Sequence, residues 1–315
     1  MPLKPSRPYT DLPAAAQRQY VDAVAAFQGW REARAAAQTV RGGMYWKRQG
    51  AYEYLVRTST DNRQTVIGPR SVETEGIKEA FDARKGEVND RLSALAETVS
   101  RHEKRNRVEQ VGRAPVVVVR ILKEIDKAGL SKFFTVVGTH ALYAYEAKAG
   151  VRFDDDALAT RDVDLLWDSR KSVKFFTTME RLDASMIDVL RRVDKTFTRR
   201  EGHLETAQNA DGFEVDFLRR EAVEGDMHPV RLSGDEEDLW VVQAKNANLL
   251  LEGPRFEAVI VAANGEMALM QTVEPMLFVK FKQWLTRQKS REPVKRARDA
   301  LQATVVGVLV GEFFV

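Results

Sequence analysis

Apolar residues recur at helical spacing between Leu12 and about Val40, where Tyr20, Val24, Phe27 and Trp30 fall on one face of an alanine-rich stretch. That period predicts an amphipathic helix, stopped by Gly42 and Gly43. The pattern then shortens: MYWKRQG, YEYLVRTS and RQTVIGPRS are aromatic and β-branched runs separated by turn formers such as Asp61-Asn62, which predicts a small antiparallel meander. A long charged helix is expected from about Glu73 to Arg105. Pro115 suits the first turn of a helix whose Val118, Ile121, Leu122 and Ile125 share a face and whose end is marked by Gly129.

Beyond this helix, the residues from Phe133 to Val137 form a short strand, Gly138-Thr139 a turn, and HALYAYEAK a helix closed by Gly150. Alternation in the run from Ala159 to Trp167 predicts another strand. Phe213, Val215 and Phe217 define the buried face of a third, which the turn at Gln208–Gly212 joins to the strand before it as a hairpin. Asn264-Gly265 between RFEAVIVAA and EMALMQTV predicts a second hairpin. A helix from Glu274 to Lys289, with Met276, Leu277, Phe281 and Trp284 inward, and a buried terminal helix or strand over Thr304–Val315 complete the pattern. The fold class expected is α+β, a mixed sheet flanked by helices, in three regions. These are an N-terminal helical and antiparallel region over 1–110, a core over 111–225, and a C-terminal hairpin and helical region over 226–315.

Composition narrows the chemistry. The 315 residues are 44% hydrophobic and 30% charged, the profile of an ordinary globular protein. A net charge of +3, from 49 basic and 46 acidic residues, is too small to argue alone for nucleic acid. The absence of cysteine excludes disulfides, thiolate metal sites and a cysteine nucleophile, so any metal must be held by oxygen or histidine. None of the four histidines has metal-ligand spacing with another, and no GxSxG elbow, Walker loop or GxGxxG turn occurs. The beginning of the chain, MPLKPSRPYTDLPAAA, has no signal-peptide core, and no run reaches the ~20 apolar residues of a membrane span, so a cytoplasmic protein is expected.

Asp162 and Asp164 lie two apart on a strand, which sends both carboxylates to one face with Cα atoms roughly 6–7 Å apart. Two such carboxylates can bind a hard divalent cation, although acid-x-acid also arises by chance, as Asp154/Asp156 and Glu236/Asp238 show. Asp216 projects from a strand otherwise flanked by apolar residues. It either pairs with Arg219 or Arg220 or completes a metal site with Asp162 and Asp164. Gly138 would let the backbone approach a ligand, and the helix after it favours an anion; a plain strand-to-helix turn fits the same residues. His140 sits in the first turn of that helix, either facing a ligand or packed. In the meander, Lys47, Arg48, Arg57 and Arg63 lie among Tyr45, Trp46, Tyr52 and Tyr54, which suits either nucleic-acid stacking or a half-buried sheet with a solvated face.

Together VVGTHALYAYEAKAGV, ATRDVDLLWD and GFEVDFL resemble the DNA polymerase β-type nucleotidyltransferase superfamily, with Gly-Thr in place of the usual Gly-Ser or Gly-Gly. More narrowly, these motifs with GMYWK, YEYLVR and AGL resemble a group of uncharacterised bacterial nucleotidyltransferase-like proteins. The resemblance implies that Asp162, Asp164 and Asp216 are catalytic and hold Mg²⁺ or Mn²⁺. It also implies that Gly138 and Thr139 cradle the phosphates of an NTP such as ATP. The basic stretch Lys280, Lys282, Arg287, Lys289, Arg291, Lys295, Arg296 and Arg298 could hold a polyanion against the acidic motif. Within it the resemblance singles out Lys280 as a triphosphate contact.

The expected function is transfer of an NMP to a hydroxyl on an RNA end, a protein or a small molecule, with pyrophosphate released. A noncatalytic nucleotide- or nucleic-acid-binding module and a toxin acting on tRNA within a two-gene system are the alternatives. The base of the nucleotide, the acceptor and the oligomeric state are not specified by the sequence.

Overall fold

The computed structural model describes residues 7–60 and 63–314; the expected turn at Asp61-Asn62 and the ends of the chain lie outside the described residues. Two compact units emerge, one of residues 18–109 and one of residues 1–17 with 110–315.

The 18–109 unit holds most of helix α1 (Ala14–Thr39), the meander β2 (Gly43–Gln49), β3 (Tyr52–Thr58) and β4 (Gln64–Pro69), and the 37-residue helix α2 (Val72–Val108). A capping box at Ser71 starts α2: its hydroxyl accepts from the Thr74 amide while the Thr74 hydroxyl accepts from the Ser71 amide. Several cations of this unit are engaged internally. Arg57 lies over the Phe81 ring, Arg70 lies over Trp46 and pairs with Glu53 and Glu75, and Lys85 donates to the Gly42 carbonyl. The basic and aromatic interleaving at Arg57 and Trp46 therefore serves sheet-to-helix packing.

The larger unit starts with β1 (Tyr9–Asp11). It continues through α3 (Val116–Lys127), β5 (Phe134–Val137), α4 (Ala141–Ala149), β6 (Val151–Phe153) and β7 (Asp162–Trp167). Next come α5 (Ser172–Leu182), α6 (Met186–Arg191), β8 (Thr198–Arg199), β9 (Thr206–Gln208), β10 (Glu214–Arg220), β11 (Val230–Arg231) and β12 (Trp240–Ala244). The last elements are α7 (Ala247–Glu252), β13 (Arg255–Val261), β14 (Met267–Val273), α8 (Pro275–Thr286) and α9 (Pro293–Phe313). One mixed sheet in the order β11-β12-β10-β7-β5-β14-β13, with β9 and β8 added beside β10, joins residues on both sides of position 225. The pairs β10/β7, β10/β12 and β14/β5 are parallel, and the rest antiparallel. β1 pairs with β6.

Alternation along the central strands divides the core. Val163, Leu165 and Trp167 of β7 and Val215 and Phe217 of β10 face α3, α5 and α6, packing with Ile121, Ile125, Phe175 and Leu190. On the opposite side Leu166, Val137 and Val273 meet Leu142, Tyr145, Leu250, Phe278, Val306 and Leu309 from α4, α7, α8 and α9. The sheet is thus flanked by helices on both faces, the α+β architecture expected.

Helix α8 differs from its expected phase. Pro275, Phe278, Val279 and Lys282 are the buried positions, Leu277, Phe281 and Trp284 are half-buried, and Met276 is exposed. Pro275 at the first turn and Glu274, whose carboxylate accepts the amides of Met276 and Leu277, start the helix one residue later than expected, and packing of Phe278 on Tyr145 with the Lys282–Asp299 bond turns this face inward. Of the stretch expected to end the chain, the residues up to Phe313 form a helix, with Val305, Val306, Leu309 and Val310 buried.

Candidate active site

Asp162 and Asp164 open β7, where Val163 between them is fully buried on the other face. β10 runs parallel beside it, and the register sets Asp216 directly opposite Asp164. Neighbouring strands lie about 4.8 Å apart, so a parallel register that aligns two aspartates makes their carboxylates meet. Oxygens of Asp162, Asp164 and Asp216 all lie within 4.8 Å of one another. Arg219 and Arg220 do not neutralise Asp216: both pair with Asp226, at 3.0 and 2.9 Å. Asp216 instead accepts a 2.6 Å hydrogen bond from the Thr206 hydroxyl of β9, and Asp162 accepts one from Thr160.

Three carboxylates this close repel one another unless a cation joins them. Burial, then the charges of Asp162 and Asp216, push the Asp164 carboxyl up to about 7, and burial also raises Asp216. A donor set made only of carboxylate oxygens suits a hard divalent ion such as Mg²⁺ or Mn²⁺, so the residues fit the metal that the pattern implied.

Gly138 follows β5, whose last residue, Val137, pairs with Asp164. Its φ of +71° lies in the left-handed region, and a Cβ built on it would collide with the Asp164 carboxylate. Glycine is needed here twice over, for the turn and for contact with the acidic centre. Thr139 comes next, its hydroxyl accepting from the Gln302 side-chain amide at 3.0 Å.

A cleft of about 490 Å³ contains Gly138, Thr139 and the three aspartates. Lys245, Phe281, Lys282, Trp284, Arg291, Lys295 and Arg298 line the same cleft, so acidic and cationic groups share one cavity. Lys280 does not reach it: this lysine is exposed, and two residues of helix, about 200° of rotation, give the cleft position to Lys282. Lys282 is buried and donates to Asp299 at 2.8 Å; Asp299, fully buried, also pairs with Arg291. Burial pushes the Lys282 ammonium down from its ordinary value, and Asp299 opposes that shift.

His140 is packed rather than presented to the cleft. Its ring sits against Tyr143 and Phe213, and burial pushes its pKa down to about 4, opposed by nearby Asp162. Of the other acid pairs, Asp238 has a structural role: it accepts the amides of Met186 and Ile187 at 3.0 Å each.

Asp299 and Gln302 escaped the sequence reading. Lys295, Arg298, Asp299 and Gln302 follow helical i, i+3, i+4, i+7 spacing, and the same stripe continues into buried Val305, Val306 and Leu309. A polar stripe in line with an apolar one was the available signal.

A family model described as nucleotidyltransferase matches residues 117–314. Neither a curated protein nor a solved structure matches the chain. Residues 117–314 are well over half of the chain and hold the acidic triad, the Gly138 turn and the cationic helices, so the chain belongs to this nucleotidyltransferase family.

Proposed function

We propose that this protein is an enzyme that moves the NMP of a nucleoside triphosphate to an acceptor hydroxyl in the cytoplasm and releases pyrophosphate. The observation that carries this reading is the meeting of Asp162, Asp164 and Asp216 beside Gly138 and Thr139, in a cleft shared with Lys282, Arg291, Lys295 and Arg298. Asp162, Asp164 and Asp216 would hold Mg²⁺ or Mn²⁺, and a divalent ion bound there would neutralise phosphate charge and lower the pKa of the acceptor hydroxyl.

The chain's own groups do the positioning. Gly138 lets the backbone approach the β and γ phosphates, and Thr139 offers its hydroxyl to them. Lys282, steadied by Asp299, and Arg291 offset the triphosphate charge, while the Phe281 and Trp284 rings, stacked at 5.7 Å, offer a face to the base. Lys280 stands outside this set. The acceptor oxygen attacks the α-phosphorus, the bond from that phosphorus to the bridging oxygen breaks, and pyrophosphate leaves with the electron pair. Asp216, beside the acceptor site, takes the hydroxyl proton. The cations Lys295 and Arg298 suit a phosphate-bearing acceptor such as an RNA or tRNA end.

The full chain, incubated with each α-labelled NTP, Mg²⁺ or Mn²⁺ and cell extract, is expected to pass label to one macromolecular or small-molecule fraction. Asp162→Ala should reduce transfer by about three orders of magnitude. Equal labelling by wild type and Asp162→Ala, or no labelling with any NTP, would overturn the reading.

A further inference from the structure

Gln302 lies on α9, fully buried, with its amide nitrogen 2.8 Å from the Ala157 carbonyl and 3.0 Å from the Thr139 hydroxyl oxygen. A carbonyl can only accept, so Ala157 fixes which end of the amide is the nitrogen. The same NH₂ group then has its second hydrogen directed at Thr139, whose oxygen must accept it. Thr139 lines the cleft, and among the described residues no protein acceptor is matched to its own hydroxyl hydrogen. Among the described residues the other end of the amide, Oε1, is buried without a partner. A flipped amide would set oxygen against oxygen at Ala157, so the orientation is retained although it leaves Oε1 unsatisfied.

We propose that Gln302 is a positioning residue. By occupying the acceptor side of the Thr139 hydroxyl it makes Thr139 a donor directed into the cleft, toward a phosphate oxygen of the bound nucleoside triphosphate. A free threonine hydroxyl rotates and can accept as readily as donate; held this way it is committed to donation before the anion arrives, so less ordering is needed on binding. This inference rests on the nucleotidyl-transfer reading and deepens it by assigning a role to a residue outside the metal site.

The test is a double-mutant cycle on the full chain: wild type, Thr139→Val, Gln302→Met and both together. Calorimetric titration would use a nonhydrolysable α,β-methylene nucleoside triphosphate of each base with Mg²⁺. Thr139→Val and Gln302→Met are each expected to weaken binding about tenfold, and the double variant no more than Thr139→Val alone. In a Thr139→Ser background, which keeps the hydroxyl, Gln302→Met should again cost about tenfold. An equal loss from Gln302→Met with and without the hydroxyl, or no loss, overturns the inference and leaves nucleotidyl transfer standing. A wild-type chain that binds none of the analogues overturns both. A second measurement keeps Gln302 in place: with ¹⁵N-glutamine labelling, Thr139→Val should move one of the two Gln302 amide protons upfield and spare the other. An unmoved pair would sink the proposal even if Gln302→Met did not fold.

Discussion

Asp164 has the most costly surroundings of the acidic residues in the cleft, because its half-buried carboxylate stands against two others and the cation that chiefly offsets it, Lys282, is already bound to Asp299. Above pH 7 the folded, metal-free chain therefore carries a repulsion that the unfolded chain lacks. Asp164→Asn keeps the shape and removes one of the three charges. At pH 8 with chelator the variant should melt about 2–4 °C higher than wild type, equivalent to about 1 kcal/mol, while added Mg²⁺ or Mn²⁺ should raise the melting temperature of wild type alone. A metal-induced shift that survives the substitution would mean that the ion binds elsewhere. Gly138 belongs to the same conflict from the opposite direction, since only a residue without Cβ leaves room for the Asp164 carboxylate.

Helices α8 and α9 are held by one buried acid. Asp299 receives Lys282 from α8 and Arg291 from the connection, so the three groups form a closed set with no exposed carboxylate. Removing the acid is worse than removing one base. Asp299→Ala leaves a buried ammonium unpaired and should cost about 3–5 kcal/mol in urea denaturation, whereas Lys282→Met leaves Asp299 with Arg291 and should cost under half of that. Equal costs would show that Arg291 alone cannot satisfy Asp299.

The same two helices mark where sequence legibility ended. Period-two alternation sets Asp162 and Asp164 on one face of β7 and Asp216 on the unburied face of β10, and both strands formed as the pattern predicted. Which strand lies beside which is not encoded in alternation; the parallel register of β7 with β10, which brings Asp216 to Asp164, arises from long-range pairing. On α8 the apolar residues are numerous enough to allow two phases, and the packing of Phe278 on Tyr145 together with the Lys282–Asp299 pair decides between them. A charged residue at a buried helix position is indistinguishable from a solvated one until its partner, 17 residues away, is known.

At the scale of the molecule, the chain enters the larger unit, leaves it, and returns. Residues 9–11 pair with β6, the chain then builds the 18–109 unit, and from residue 110 onward it completes the sheet that holds the acidic cleft. Tyr9 is therefore a core residue of the larger unit, although about a hundred residues separate it from the rest of that unit's sequence. The residue is 4% exposed, and its ring stands edge-on to Phe153, at 6.3 Å between centroids, and to Phe313, at 6.0 Å. Tyr9→Ala deletes an aromatic group from a packed core, a change of about 3 kcal/mol. If each unit rests on its own core, that loss should fall on one of them. Hydrogen exchange should accelerate in residues 134–137, 151–153 and 303–310 of the variant and stay at the wild-type rate in the meander strands β2, β3 and β4. Acceleration throughout the chain would mean that the two units unfold as one cooperative body, and that the N-terminal strand stabilises the whole molecule rather than the unit it pairs with.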